Sequence, residues 1–219
     1  ILHQAGIEVL PQIITFGGET YRDDTEIDTT TFLRKLRGSK TLPGTAAPPP
    51  ALYTPIYKRI LDAGDTALVI APSAKASGTF RSAAVAAQEF RTDRIHILDS
   101  KTLAGGLGSL VLAAQEWAQA GLSIREVKEN VLEMASREKV YFQLRTLEYL
   151  HRGGRIGHAA KLVGTLLHVI PILTVNDGEV DVYNKVRTRR QAMRTIVDLA
   201  AETCRDNPKP YLTVSECDS

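Results

Sequence analysis

The chain has 219 residues, enough for two modest domains or one large one, and its composition of 43% hydrophobic and 24% charged residues is typical of a globular protein. The formal net charge of +2 is too small to indicate nucleic-acid binding by itself. No apolar run reaches the roughly 18 residues of a membrane-spanning helix, and no signal peptide is visible. The two cysteines have neither zinc-site nor redox-motif spacing, which favours thiols in a reducing cytosol. The spacing of the histidines is also unlike that of metal ligands; they are His3, His96, His151, His158 and His168. Neither a metal nor a cofactor is therefore assigned.

The first 137 residues alternate predicted strands with predicted helices. The strands are expected over residues 7–16, 66–72 and 94–99, and four of the helices over residues 28–37, 79–91, 104–120 and 123–136. A further helix runs to Gly64, and Thr54-Pro55 either begins it or kinks it. Residues 66–72 are almost wholly apolar, as in a buried parallel strand. The Pro-rich segment 41–50, TLPGTAAPPP, is expected to contain no regular element. This alternation predicts a parallel, Rossmann-like α/β domain with its ligand site at the carboxyl ends of the strands.

The loop 73–79 lies between an apolar strand and a helix. This arrangement can present backbone N–H groups to an anion at the start of the helix. Ser77 is the polar side chain of interest there, although a serine can also cap a helix without any ligand. A catalytic serine is rejected, because the G-x-S-x-G pattern is absent and no histidine base or acid partner is indicated.

A different pattern begins at Lys139. It predicts strands over 140–144, 169–175, 179–186 and 211–215, a short helix from Thr146 to Gly153, an apolar-periodic helix through Ala159, Ala160, Val163, Leu166 and Leu167, and a helix from Thr188 to Arg205. Asn176-Asp177-Gly178 is the turn of a hairpin. We therefore expect two domains, residues 1–137 and 138–219, the second being an α+β domain with a mixed or antiparallel sheet.

Segment 185–194 contains five basic residues and no acid. Arginines in a first helical turn oppose the helix dipole, so an anionic partner is one interpretation and a solvated helix face is the other. Arg155 is the second cation of interest, since Gly153-Gly154 precede it and Ile156 follows.

One long ordered string carries a family resemblance. LEYLHRGGRIG (147–157), followed by LLHVIPIL (166–173) and DG, resembles the central signature of the DegV family of lipid-binding proteins. Further stretches are similar to that family, including YRDD (21–24), ASGTFRSA (76–83) and KVRT (185–188). The resemblance extends from about Ile7 to Ser219.

The resemblance implies a protein that binds one long-chain fatty acid between its two domains and is not itself an enzyme. It implies that Thr45, Ser77, Gly78 and Thr79 bind the carboxylate, and that no residue is catalytic. It also implies that Arg155 and Arg187 supply charge near the head group or a partner's phosphate. Residues 45–48, TAAP, keep the threonine and proline of the family's Thr-Ser-Gln-Pro-Ser motif, but not its serine and glutamine.

The same resemblance implies a cytoplasmic protein that presents the fatty acid to a separate kinase for acyl-phosphate formation. It implies no nucleic-acid partner and at most transient contact with a membrane surface. Because the family has further elements before and after these residues, the chain is expected to be incomplete at both ends. The alternatives are a stand-alone phosphotransferase or hydrolase, and a nucleic-acid-binding module using residues 185–194.

Overall fold

The computed structural model describes residues 6–162, 169–205, 207 and 210–215. The chain forms two compact units, Ile1–Asp99 and Ser100–Ser219. The domain boundary that the sequence predicts, near Arg137, stays a prediction. None of the helices in the described ranges is long and apolar enough to cross a membrane. The fold is mixed α/β, with one parallel sheet and two antiparallel sheets, which confirms the predicted class.

The first unit begins with a three-stranded antiparallel sheet in the order β2-β1-β3. It consists of β1 (Ile13–Phe16), β2 (Glu19–Arg22) and β3 (Gly44–Ala46). The predicted strand 7–16 is therefore too long, and β2 was missed. The expectation that 41–50 has no regular element is wrong, because β3 lies within it and pairs with β1. Helix α1 (Thr29–Gly38) begins as predicted, with the Thr31 N–H donating to Asp28 Oδ1 at 2.8 Å.

A parallel β-α-β unit completes the first unit. Helix α2 (Pro50–Asp62) precedes β4 (Ala67–Ala71), α3 (Thr79–Ala87) and β5 (Ile95–Asp99). Strands β4 and β5 pair in parallel, as predicted. Helix α2 begins at Pro50 and contains Pro55, so Thr54-Pro55 lies inside the helix and is not its start, the first of the two predicted roles; α3 ends earlier than predicted.

The core of the β-α-β unit combines two tyrosines with small residues. Tyr53 and Tyr57 are almost fully buried, beside Ala67, Ala83 and Ala86. Such small side chains let helix and sheet approach closely enough to enclose the rings. The Tyr57 hydroxyl donates to the Ala83 carbonyl at 3.3 Å. Burial raises the pKa of Tyr53 to about 12.

The second unit opens with two helices, α4 (Ala104–Gln119) and α5 (Ile124–Arg137). Helix α5 has the predicted capping box, in which the Ser123 N–H donates to Glu126 Oε2 at 2.8 Å and Ser123 Oγ accepts from the Glu126 N–H. Residues 211–215 form no strand, so that prediction is wrong. They lie against α4 instead, where the hydroxyls of Thr213 and Ser109 are 2.8 Å apart.

The rest of the second unit is a three-stranded antiparallel sheet with helices. In chain order its elements are β6 (Tyr141–Phe142), α6 (Glu148–Arg152), a 3₁₀ helix (Gly157–Leu162), β7 (Ile170–Asn176), β8 (Glu179–Val186) and α7 (Arg189–Arg205). The predicted hairpin is confirmed, with positive φ at both turn residues, Asp177 and Gly178. Thr188 caps α7 as predicted, by accepting from the Gln191 N–H at 3.1 Å. The 3₁₀ helix replaces the start of a predicted α-helix, whose continuation at Val163, Leu166 and Leu167 lies outside the described residues.

Strand β7 is buried on both faces. Leu173 packs in one cluster with Leu147, Ile156, Ala159, Leu162 and Val180. Ile172 packs in another with Val186 and Ala192. Burial of successive residues on opposite faces explains why this strand reads as a continuous apolar run.

Gly157 fits its place only because it lacks a side chain. Its φ is +52°, near the left-handed minimum, and a Cβ there would overlap the Val180 carbonyl oxygen. Gly121 is a matched control, because its φ is +85° and no neighbouring atom lies within 4 Å of the place that a Cβ would occupy. We expect Gly121→Ala to lower the free energy of unfolding by about 1–2 kcal/mol through backbone strain alone. Gly157→Ala should cost at least about 3 kcal/mol, because steric overlap is added.

Urea unfolding of both variants measures this difference. Equal losses at the two positions would mean that the overlap at Val180 relaxes without cost.

Candidate functional site

The site is built on the edge where the two parallel strands end. Ala71 and Asp99 are paired at the ends of β4 and β5. The next loop is centred on the fully buried Ser73, whose carbonyl accepts from the Ser77 N–H at 2.9 Å. The Ala74 N–H donates to Asp99 Oδ1 at 3.2 Å, which ties the loop to the end of the neighbouring strand. The loop is thus fixed at both ends before α3 begins.

Ser77, Gly78 and Thr79 form the start of α3. Gly78 is the N-cap residue and supplies no side-chain bond. Ser77 Oγ takes that role, by accepting from the Thr79 N–H at 3.3 Å, and it lies 2.8 Å from Thr79 Oγ1. The first turn of α3 contains no acidic residue. Ser77 therefore supports the helix start and, being only partly buried, also offers a hydroxyl at its positive end.

The strand carrying Thr45 runs beside this loop. Thr45 pairs with Ile14 across β3 and β1. Two residues later, Ala47 Cβ would lie 3.5 Å from a Cβ placed on Gly78. The Thr45 side chain is exposed, and its hydroxyl has no hydrogen-bond partner among the described residues. The structure thus brings the Pro-rich segment and the serine loop to the same part of the first unit.

Gln12 also reaches this part of the unit, and sequence reasoning missed it. Its Nε2 donates to Thr79 Oγ1 at 3.4 Å, and its backbone N–H donates to Asp23 Oδ1 at 2.8 Å. Burial raises the pKa of the Asp23 carboxyl, and the hydrogen bond from Gln12 acts in the opposite direction. No local pattern marks a glutamine before a strand, so this sequence offered no signal for it.

Arg155 follows a helix end whose geometry explains the two preceding glycines. The Arg155 N–H donates to the Leu150 carbonyl at 2.9 Å, and the Gly154 N–H donates to the His151 carbonyl at 3.0 Å. With a φ of +71° at Gly154, this is a Schellman motif. Arg155 Nη1 also donates to the Gly153 carbonyl at 2.7 Å, so its exposed side chain folds back on the helix end.

Arg187 lies between β8 and α7 in the second unit. Its backbone N–H donates to Gln191 Oε1 at 3.3 Å, and its side chain is exposed. Across the ranges that the structure describes, its guanidinium makes no ion pair. The first turn of α7 contains no acid. Arg187 therefore presents a charge that can bind an anion.

The described ranges contain no cluster of three His, Cys, Asp or Glu residues that could hold a metal ion. His158 instead lies 3.9 Å from Asp181 as a surface pair. The polar groups that converge in the first unit include hydroxyls and backbone amides, which are suited to hydrogen bonding with an anion. The carboxylates of Asp23 and Asp99 accept from the backbone N–H groups of Gln12 and Ala74.

Comparison with known proteins gives consistent matches across the chain. The family model described as "Uncharacterised protein, DegV family" matches residues 1–217. A DegV domain-containing protein of Caldanaerobacter subterraneus is 35% identical over 198 residues, covering 90% of this chain and 70% of the relative.

Solved structures with the same fold include a fatty-acid-binding DegV family protein from Thermus thermophilus. The two are 33% identical with a TM-score of 0.87, over 94% of this chain and 73% of the other. DegV of Bacillus subtilis, described as a fatty acid binding protein, is 31% identical with a TM-score of 0.82, over 93% and 73% of the two chains. The family match over almost the whole chain, together with these similarities, shows that this chain belongs to the DegV family.

Proposed function

We propose that this protein binds a long-chain fatty acid and holds its carboxylate at Thr45, Ser77, Gly78 and Thr79. The observation that carries the proposal is the convergence of β3 with the loop at the start of α3. Two similar proteins of known structure are described as fatty-acid-binding, which supports the same ligand class here. We assign the carboxylate site to the N-terminal domain, with the domain boundary near Arg137.

A carboxylate suits this site because every group offered to it can donate a hydrogen bond. Ser77 and Thr45 contribute hydroxyls, and the start of α3 contributes backbone N–H groups with the positive end of the helix dipole. A hydrogen bond to a charged acceptor is worth roughly 1–3 kcal/mol. The head-group contacts would therefore orient the ligand.

The acyl tail would supply most of the affinity. Burying one methylene contributes about 0.8 kcal/mol, so a tail of about 15 methylenes gives on the order of 10 kcal/mol before the costs of association. A site of this kind binds its ligand without a metal or a nucleophile. We also propose that the protein is non-catalytic and cytoplasmic, and that it passes its ligand to another protein.

The partner in this proposal is a separate kinase that converts the bound fatty acid into an acyl phosphate. Arg187 would act in that step, since it presents an exposed charge at a helix start that lacks acids. Arg155 would add positive charge, with its direction set by the bond to the Gly153 carbonyl.

The full-length protein, purified without added lipid, should carry one long-chain fatty acid. Native mass spectrometry followed by lipid extraction measures this directly, because a tightly bound ligand dissociates slowly enough to survive purification. Repeated recovery of no fatty acid, together with no binding of added palmitate or oleate, would refute the proposed function.

Ser77→Ala and Thr45→Ala should each weaken fatty-acid binding by roughly 1–3 kcal/mol, since each removes a bond to a charged acceptor. Binding of a fatty alcohol of equal length should change little, because its head group carries no charge. Calorimetric titration with both ligands measures the difference. Thr30→Ala, at an exposed threonine of α1, is the matched control and should leave both affinities unchanged. Equal losses for acid and alcohol would mean that these residues only maintain the shape of the loop.

Arg187→Ala should leave fatty-acid affinity within about threefold, under 1 kcal/mol. It should lower acyl-phosphate formation by the cognate kinase at least about tenfold, which corresponds to more than 1.4 kcal/mol in the transition state. Both values come from one preparation whose folding is checked by thermal melting. Arg205→Ala, at the other end of α7, is the matched control.

A collapse of binding with normal phosphorylation of the remaining complex would place Arg187 in the binding site. No change in either value would leave segment 185–194 as a solvated helix face.

A further inference from the structure

Gln12 is held rigidly beside the proposed carboxylate site. Its backbone N–H donates to Asp23 Oδ1 at 2.8 Å, and its carbonyl accepts from the Asp23 N–H at 3.1 Å. With both backbone groups bonded, the direction of its Cα–Cβ bond is fixed. That direction brings Nε2 within 3.4 Å of Thr79 Oγ1.

The hydrogen bonds beyond Gln12 have a definite direction. An amide nitrogen can only donate, so Thr79 Oγ1 accepts from Gln12. Thr79 is only 7% exposed, and the acceptor that its hydroxyl contacts within the described ranges is Ser77 Oγ, 2.8 Å away. A buried hydroxyl proton without an acceptor is costly, so Thr79 donates to Ser77.

Ser77 Oγ is therefore an acceptor on its inner side. It takes one hydrogen bond from the Thr79 hydroxyl and a second from the Thr79 backbone N–H at 3.3 Å. A serine hydroxyl has two acceptor positions and one proton. Because both acceptor positions are occupied, the proton of Ser77 remains to be donated away from Thr79.

We propose that Gln12 is a positioning residue that directs the chain Gln12–Thr79–Ser77 outward, so that Ser77 presents a proton to an anionic head group. This inference rests on the proposed function and adds a determinant of head-group specificity. Gln12 does not touch the ligand. It acts by fixing which of the two hydroxyls donates.

Replacing the hydrogen-bond donor at position 12 by an acceptor tests the inference. In Gln12→Glu at about pH 8 the side chain is an ionised carboxylate, which can only accept. Thr79 then donates to residue 12, and Ser77 donates to the Thr79 hydroxyl and turns its one remaining lone pair toward the ligand, since the other still accepts from the Thr79 backbone N–H. We expect fatty-acid affinity to fall at least about tenfold, the scale of one charge-assisted hydrogen bond. A fatty alcohol can donate its own proton to Ser77 and should lose less than about threefold.

Gln12→Met is the second variant, because it keeps the length of the side chain and removes the amide. A thioether sulfur donates no hydrogen bond and accepts one weakly, so the Thr79 proton is no longer confined to Ser77 and the Ser77 proton can turn inward; the acid should therefore bind about threefold more weakly. The ratio of acid to alcohol affinity is the readout that a purely structural role would not change. Thermal melting checks that both variants fold. If Gln12→Glu does not fold, the acid-to-alcohol affinity ratio of Gln12→Met tests the inference alone.

A double-mutant cycle with Ser77→Ala separates the relay from direct charge repulsion. In the Ser77→Ala background the relay is absent, so Gln12→Glu and Gln12→Met should each change acid affinity less than about twofold. Persistence of the full loss in that background would overturn the inference, since the new charge would then act through space. Unchanged acid binding in both single variants would also overturn it. Failure of the unaltered protein to bind either ligand refutes the proposed function instead, so the two failures are distinguishable.

Discussion

Parallel pairing of β4 with β5 places the ends of both strands at one edge of a small sheet, and the candidate site depends on that edge. Asp99, at the end of one strand, accepts from the Ala74 N–H in the loop that follows the other. Ser73 is fully buried and accepts from the Ser77 N–H, so the loop has little freedom. Parallel strands require a crossover, and here the crossover helix begins at Thr79. The strand pairing therefore determines where the helix begins, and with it the position of the proposed anion donors.

The glycines of the segment LEYLHRGGRIG meet requirements of the backbone. Gly154 adopts the left-handed conformation that ends α6 and lets the Arg155 N–H reach the Leu150 carbonyl. Gly157 lies so close to the Val180 carbonyl that a side chain would overlap it. This part of the family resemblance is thus explained by a helix end and a close approach to β8. Arg155 takes its position from the same geometry.

Predictions from local pattern succeeded where one segment satisfies its own hydrogen bonds. Asp28, Ser123 and Thr188 were correctly identified as helix starts, because their side chains bond the backbone N–H three residues on. The antiparallel sheet of the first unit was mostly missed. Its strands have three or four residues, and β3 lies in a Pro-rich segment with exposed side chains, so no alternation of apolar and polar residues was available. Segment 211–215 shows the opposite error, a predicted strand that does not form. Its sequence is typical of a strand, but its side chains bond to α4.

The sequence by itself determined the parallel α/β pattern, the helix caps, the hairpin turn and the position of Ser77 at a helix start. Each of these depends on residues within a few positions of one another. Only the tertiary structure decided that β3 runs beside Gly78 and that Gln12 donates to Thr79, 67 residues further along the chain. Such contacts arise because strand pairing and core burial bring distant segments together. A pattern of neighbouring residues carries no record of which distant group will meet a given donor, so the direction of hydrogen bonding at Ser77 is a property of the folded chain.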